Sequence, residues 1–488
     1  MRAHETVRQA RLDGRVAGPL PAQIIAPSGT PHVDYRAVLS ISIPMMANSA
    51  IQILLSLTDT WFLGHLSTQA LAAAGASQSI VLFIVIAAGG AAAPVQTMVA
   101  RSFGAGRYMR AGAGVWTGLW AVACITPIIV VLADCGTRVI GLFGLQAEIA
   151  RSAADFWLPR VIGLPFGIAT TAILSFFYGI GRAGTTITIL IVEILVNAVL
   201  NQLFIFTFDW GISGCGWAST VAQGVAFFLA LKRFLSTDYR RTYRSHLTWK
   251  PRATSLLAHL RLGIPMGLMP FADFIGFSIF QLMQVRLGST SGAATQMVAT
   301  LEAVVYTLGA PIASAGTTLV AQSIGAGEAL WAKYLGTRVI ILTALLTGAA
   351  GLIVAMAGPL VLPLFVRHSD MNAAAVMALA RTLLWVAAGY QFFEGINVGG
   401  IMCLRGVGDA AVPTALSTLL ACLVFLPLAH SFTFSHGGGW VHFLPQFGWG
   451  GVGGWAAADI YVFCVGCTMF VRWYSSPWAP TVARAAHR

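Results

Sequence analysis

The residues best suited to chemistry in this chain are carboxylates set inside long apolar segments. The stretch YQFFEGINVGGIMCLRG at residues 390–406 carries one, Glu394, among Phe, Ile and Val. Burying an ionised carboxylate is costly unless it is paired or solvated, and we expect no Lys or Arg at the same depth. Each group must therefore be protonated, bind a cation or face water. The carboxylates inside apolar segments are Asp59, Glu193, Asp273, Glu302, Glu394 and Asp459.

The composition places these carboxylates in a membrane. The chain has 488 residues, of which 57% are hydrophobic and 9% are charged, whereas a soluble domain has about 25% charged residues. Apolar runs of about 20 residues predict helices that span a bilayer. Twelve such runs indicate an all-α integral membrane protein with twelve transmembrane helices.

The excess of positive charge reports the orientation of the chain. With the N-terminus inside, most of the 29 Lys and Arg residues fall on the inner side, as the positive-inside rule requires. Both termini are therefore predicted to be cytoplasmic, and the charge gives no reason to expect a nucleic-acid partner. Residues 1–36 lack the apolar segment of a signal peptide and are predicted to be a disordered cytosolic tail.

The chain contains two similar halves. VARSFGAG at 99–106 matches VAQSIGAG at 320–327, and Ile-Pro-Met occurs at 43–45 and at 264–266 with the same separation. An even number of helices per repeat gives both halves the same orientation, which is a parallel repeat. The predicted organisation is a six-helix lobe at 37–235, a basic cytoplasmic linker at 236–254, a second six-helix lobe at 255–473 and a cytosolic tail at 474–488.

Polar residues recur at helical spacing beside five of the carboxylates. Asn197 and Asn201 follow Glu193 at intervals of four, and Tyr390 precedes Glu394 by four, which places each set on one face of a helix. Such a stripe indicates a cavity, although interhelical hydrogen bonds are an alternative. Asp459 has no stripe, so a structural role is favoured there. The acidic residues of the second half have no counterparts in the first.

Three motifs carry a resemblance to a known family: SLTDTWFLGHL at 56–66, TTLVAQSIGAG at 317–327 and CLRGVGDAAVPT at 403–414. With twelve helices in two lobes, the chain resembles the multidrug and toxic compound extrusion (MATE) family. The resemblance implies an antiporter that expels organic cations in exchange for Na⁺ or H⁺. Such an antiporter is expected to need no cofactor, and no metal beyond Na⁺ as the coupling ion.

The resemblance also assigns roles to residues. Asp273, Tyr390 and Glu394 match a cation site in the C-terminal lobe, so the chain looks closer to the bacterial branch that has this site. The residues expected to contact substrate or couple protons are Asp59, Glu302, Glu193, Asn197 and Asn201. The expected protein is a monomeric exporter of amphipathic organic cations in the bacterial inner membrane, and it is not an enzyme.

Two alternatives stay open at this point. A flippase of the same superfamily would carry an anionic lipid-linked precursor, and would need Lys or Arg where this chain has carboxylates. A membrane-embedded metalloenzyme would need convergent ligands, for which His430, His436 and His442 are the candidates.

Overall fold

Twelve long helices make up most of the computed structural model, which describes residues 20–141, 146–365 and 372–475. All twelve are long and apolar enough to cross a membrane, so the predicted number is confirmed. In chain order they are α1 (Tyr35–Leu66), α2 (Thr68–Gly104), α3 (Tyr108–Asp134), α4 (Ala147–Gly179), α5 (Gly184–Thr207), α6 (Gly211–Phe234), α7 (Ala253–Arg286), α8 (Ser289–Gly325), α9 (Ala329–Phe365), α10 (Ala373–Val407), α11 (Ala411–Thr433) and α12 (Gly450–Ser475).

Several of these helices depart from regular geometry. The α2 helix is interrupted between Gly89 and Pro94, because proline has no N–H to donate and its ring clashes with the preceding turn. The α5 helix ends in a widened turn at Gln202–Thr207, and α11 contains another at Ala421–Phe425. Widened turns of this kind often occur at functional positions.

The described residues form two compact units. One comprises Ser40–Leu268 and the other comprises the remaining described residues. The first has an apolar core that includes Phe176, Phe177 and Phe234. The second has a core that includes Phe280 and Trp455.

The boundary between the units falls within α7, whereas the sequence predicted it at the linker 236–254. Close backbone packing explains the difference. A Cβ atom on Gly267 would lie 2.8 Å from the carbonyl oxygen of Ala87, so α7 and α2 can approach this closely only without a side chain. The buried His259 also donates from Nε2 to the carbonyl oxygen of Ala91, at 2.8 Å. The first turns of α7 therefore pack with the first unit.

The predicted disordered tail, residues 1–36, is wrong for residues 20–36, since α1 already begins at Tyr35 and a hairpin precedes it. Strands β1 (Gln23–Ile25) and β2 (Pro31–Val33) form an antiparallel hairpin. Leu20 and Val33 are buried, and the indole N–H of Trp331 donates to the carbonyl oxygen of Pro21 at 3.0 Å. The hairpin is ordered because it buries apolar side chains and accepts the hydrogen bond of the Trp331 indole N–H. The tail segments 1–19 and 476–488 lie outside the described residues.

Candidate functional site

Three residues predicted to form the cation site line one cavity in the second unit. Asp273 of α7 and Tyr390 and Glu394 of α10 surround a volume of about 190 Å³. Asn397 of α10, Ser417 of α11 and Tyr461 of α12 add further polar groups to its lining. The structure thus brings the three predicted residues, from α7 and α10, into one cavity. It adds polar residues from α11 and α12 that the sequence did not predict.

Oxygen atoms dominate the polar lining of this cavity. Tyr461 donates its hydroxyl to Oδ1 of Asp273 at 3.4 Å, and Asn397 donates its amide nitrogen to Oε2 of Glu394 at 3.1 Å. The Oδ1 atom of Asn397 and the Oγ atom of Ser417 are buried without a hydrogen-bond partner. Buried polar atoms are normally hydrogen-bonded, so these two oxygens are available to a ligand.

A second cavity, of about 490 Å³, also reaches Glu394. Its lining includes Glu302 and Tyr306 of α8 together with Phe274 of α7. Tyr390 and Glu394 line both cavities. The amide of Gln391 lies 3.5 Å from Oε1 of Glu302. One carboxylate therefore borders a small space rich in oxygen atoms and a larger space with aromatic walls.

Small residues set the rotation of α10 that places Glu394 there. A Cβ atom on Gly395 would lie 2.5 Å from Cα of Ala344 in α9, so the two helices touch closely at this point. Thr347 of α9 donates to the carbonyl oxygen of Gln391 at 2.9 Å. Because α10 is held on this side, Glu394 is fixed toward the cavities.

A separate polar network occupies the first unit. Asn201 of α5 donates to Oδ1 of Asp59 in α1 at 2.7 Å, and Ser219 of α6 donates to Oδ2 at 3.0 Å. The amide nitrogen of Asn201 also donates to Oδ1 of Asn197 at 3.1 Å, and the amide nitrogen of Asn197 donates to Oγ of Ser219 at 3.3 Å. The sequence missed Ser219, since a serine among the small residues of α6 carries no spacing signal.

Asp59 also lines a cavity of about 470 Å³, and Arg160 lines the same cavity. The expectation that no basic residue shares the depth of the carboxylates is therefore wrong for Asp59. Arg160 lies within α4, which extends over Ala147–Gly179. In the second unit, Arg405 acts electrostatically on Asp273. Within the described ranges, however, no ion pair joins Asp273 or Glu394 to a basic side chain.

Three other sequence candidates lie apart from these cavities or have another use. Glu193 is buried but does not line the 470 Å³ cavity. Asp459, for which a structural role was favoured, has a buried Oδ1 atom without a hydrogen-bond partner.

Nε2 of His430 accepts from the backbone N–H groups of Trp440 and Val441, at 3.0 and 3.1 Å. This bonding anchors a loop and gives no support to the metalloenzyme alternative.

Comparison with known proteins matches the MatE family model over residues 44–203 and 265–430. A probable multidrug resistance protein NorM of Pseudomonas putida is 28% identical over 84% of this chain and 90% of its own length. The corresponding NorM of Aromatoleum aromaticum is 29% identical over 82% of this chain and 84% of its own. A crystal structure of MATE in the bent conformation shares the fold, with a TM-score of 0.80 at 18% identity over 93% of this chain and 97% of that one.

Proposed function

The chain belongs to the MatE family and is a transporter, not an enzyme, and we propose that it exports amphipathic organic cations in exchange for Na⁺ or H⁺. The observation that carries this proposal is the position of Glu394 on two cavities. A coupling ion in the small cavity and a drug cation in the larger one would compete for the same negative charge.

The small cavity suits the coupling ion. Asp273 and Glu394 provide carboxylates, and Asn397, Ser417 and Tyr390 provide neutral oxygens. Hard cations prefer oxygen ligands, and a proton needs only a carboxylate. Either ion would neutralise charge that is expensive at membrane depth, about 2.5–3.5 kcal/mol for each ionised carboxylate.

The larger cavity suits the exported cation. Its volume of about 490 Å³ falls in the range of about 300–1,000 Å³ that is usual for small-molecule sites. Glu302 and Glu394 supply negative charge, while Phe274, Tyr306 and Tyr390 supply aromatic faces. Such rings attract a lipophilic cation electrostatically.

Exchange follows from linkage between the two cavities. A cation bound between Asp273 and Glu394 cancels the charge that a drug would use, so each ligand lowers the affinity of the other. Binding of the drug then releases the coupling ion, and the returning ion releases the drug. No step of this proposed exchange needs a cofactor.

The remaining features of the proposal follow the family and the charge distribution. We place the protein as a monomer in the inner membrane with both termini in the cytoplasm, since the basic residues concentrate on that predicted side. Asp59, Asn197 and Asn201 would form a secondary proton-coupling or substrate site, to which Glu193 would contribute from one turn away. The flippase alternative is not favoured, because carboxylates, and not basic groups, border both cavities around Glu394.

Transport by reconstituted vesicles tests the proposal directly. Purified protein in liposomes is given an imposed Na⁺ gradient, and separately a pH gradient, and efflux of a fluorescent organic cation is measured. At least one gradient should drive efflux by the wild type, and Glu394→Gln should abolish it. Glu148→Gln removes one exposed charge elsewhere and should leave transport intact. Efflux that ignores both gradients, or that survives Glu394→Gln, would reject the proposal.

A further inference from the structure

A long apolar groove in the first unit lies away from the carboxylates described above. It has a volume of about 510 Å³ and is lined by side chains of α3, α4 and α6, among them Trp116, Trp120, Ala123, Val130, Phe166 and Leu231. The hydroxyl of Thr126, which also lines the groove, already donates to the carbonyl oxygen of Val122 in its own helix at 2.8 Å. The groove therefore offers apolar contact and no site for a polar or charged drug.

One end of the groove lies under the linker between the two repeats. The indole N–H of Trp116 donates to the carbonyl oxygen of Ser245 at 2.6 Å, and that of Trp120 donates to the carbonyl oxygen of Trp249 at 2.7 Å. The indoles are four residues apart on α3, and so are the carbonyls in the linker. Residues 245–249 are thus fixed along the end of the groove.

Basic residues adjoin this end of the groove along the chain. Lys232 follows Leu231 of the groove, Lys250 follows Trp249, and both lysines are exposed. The linker adds the exposed Arg240, Arg241, Arg244 and Arg252, against one acidic residue, Asp238. A cluster of four to eight basic residues next to a membrane helix attracts anionic lipid.

Apolar side chains beside this charge place the linker at the membrane surface. Trp249 is 48% exposed and Leu247 is 59% exposed, although neither belongs to a spanning helix. Tryptophan is enriched where the hydrocarbon meets the headgroups. The basic end of the groove therefore lies at the depth of the lipid phosphates.

The groove is long enough to hold one acyl chain. From Trp116 to Val130 the lining follows α3 for fourteen residues, which is about 21 Å at 1.5 Å per residue. One leaflet contributes about half of the 30 Å hydrocarbon core. We propose that the groove binds one anionic glycerophospholipid, with an acyl chain against α3, α4 and α6 and the phosphate held by Lys232 and Lys250.

Lipid retention tests this site without any transport measurement. Wild-type protein is incorporated into nanodiscs of equal phosphatidylglycerol and phosphatidylethanolamine, extracted with mild detergent, and its retained lipids are counted by mass spectrometry. The wild type should retain phosphatidylglycerol in roughly tenfold excess, since each basic residue attracts an anionic headgroup. Lys232→Gln with Lys250→Gln should lower this excess severalfold, because the phosphate loses both proposed partners while the arginines of the linker remain.

Two further variants test the groove itself. Ala123→Trp should fill it and remove the retained lipid of both kinds, while Leu345→Trp adds the same ring at an exposed position of α9 and should change nothing. Arg36→Gln with Arg338→Gln removes two exposed charges elsewhere and serves as the control for charge. The proposal is overturned if the wild type retains both lipids equally, if the lysine variants keep the full wild-type excess, or if Ala123→Trp retains the wild-type amount. Because the lysine variants leave the helices unchanged, they decide the matter even if Ala123→Trp does not fold.

Discussion

Asn201 donates a hydrogen bond of 2.7 Å to Asp59, across 142 residues of sequence. Ser219 satisfies the other carboxylate oxygen at 3.0 Å, so both oxygens of Asp59 have protein donors. Glu394 accepts a hydrogen bond from Asn397 at one of its oxygens and borders two cavities. The two carboxylates are therefore held differently, and this difference separates the proposed roles of the two units.

Removing the donor from Asp59 should destabilise the protein. In Asn201→Leu the half-buried carboxylate of Asp59 loses a charge-assisted hydrogen bond, a loss of about 1.5–3 kcal/mol. We expect the unfolding temperature in detergent to fall by several degrees. Gln202 is the exposed amide next to Asn201, and it serves as the control. Gln202→Leu should leave the unfolding temperature unchanged. Equal stability of the two variants would show that the Asn201 bond contributes nothing.

The two cavities predict separable effects for Glu302 and Asp273. Glu302 lines only the larger cavity and Asp273 only the smaller one. Glu302→Gln should raise the KM for an organic cation roughly tenfold or more, because a charged interaction of about 1.5–3 kcal/mol is lost. The ion concentration for half-maximal transport should stay the same. Asp273→Asn should abolish ion-driven export while drug binding, measured by fluorescence quenching, persists. Identical defects in both variants would contradict separate sites.

Ser417 offers a test of the coupling ion. Its Oγ atom is buried without a partner, so Ser417→Ala should leave the unfolding temperature unchanged or raise it slightly. A Na⁺ ion in the small cavity would lose one oxygen ligand. If this weakens the free energy of Na⁺ binding by about 1.4 kcal/mol, the Na⁺ concentration for half-maximal export should rise about tenfold. Ser278→Ala is the control, since the Ser278 hydroxyl already donates to the backbone carbonyl oxygen of Phe274 at 2.8 Å. An unchanged Na⁺ response would assign coupling to protons.

Two glycines of α10 predict opposite responses to alanine. At Gly395 a Cβ atom would meet Cα of Ala344 at 2.5 Å, whereas at Gly389 its nearest neighbour is Oδ2 of Asp459 at 3.7 Å. Gly395→Ala should cost about 1–3 kcal/mol through overpacking. Gly389→Ala should be neutral or stabilising, because alanine favours a helix. Thermal unfolding of both variants, with transport by Gly395→Ala, measures the contrast. Equal stability would mean that α10 is free to move away from α9.

The stripes of polar residues predicted part of the site and missed the rest for a physical reason. Tyr390 and Glu394 lie four residues apart on one helix, and such spacing is visible in the sequence. Ser417 and Tyr461 reach the same cavity from α11 and α12, and no local pattern marks them. No pattern within α4 marks Arg160 as a residue of the cavity that Asp59 lines.

The sequence alone determined the class of the protein: twelve apolar helices, the two repeats, and carboxylates that a bilayer tolerates only when they are neutralised. These features depend on composition and on periodicity along one helix, which are local properties. The tertiary structure decided which carboxylates share a cavity, that Glu394 borders two of them, and that Asp59 is held by Asn201 and Ser219. Contacts between helices depend on where glycines permit close approach, and that depends on partners far away in the chain.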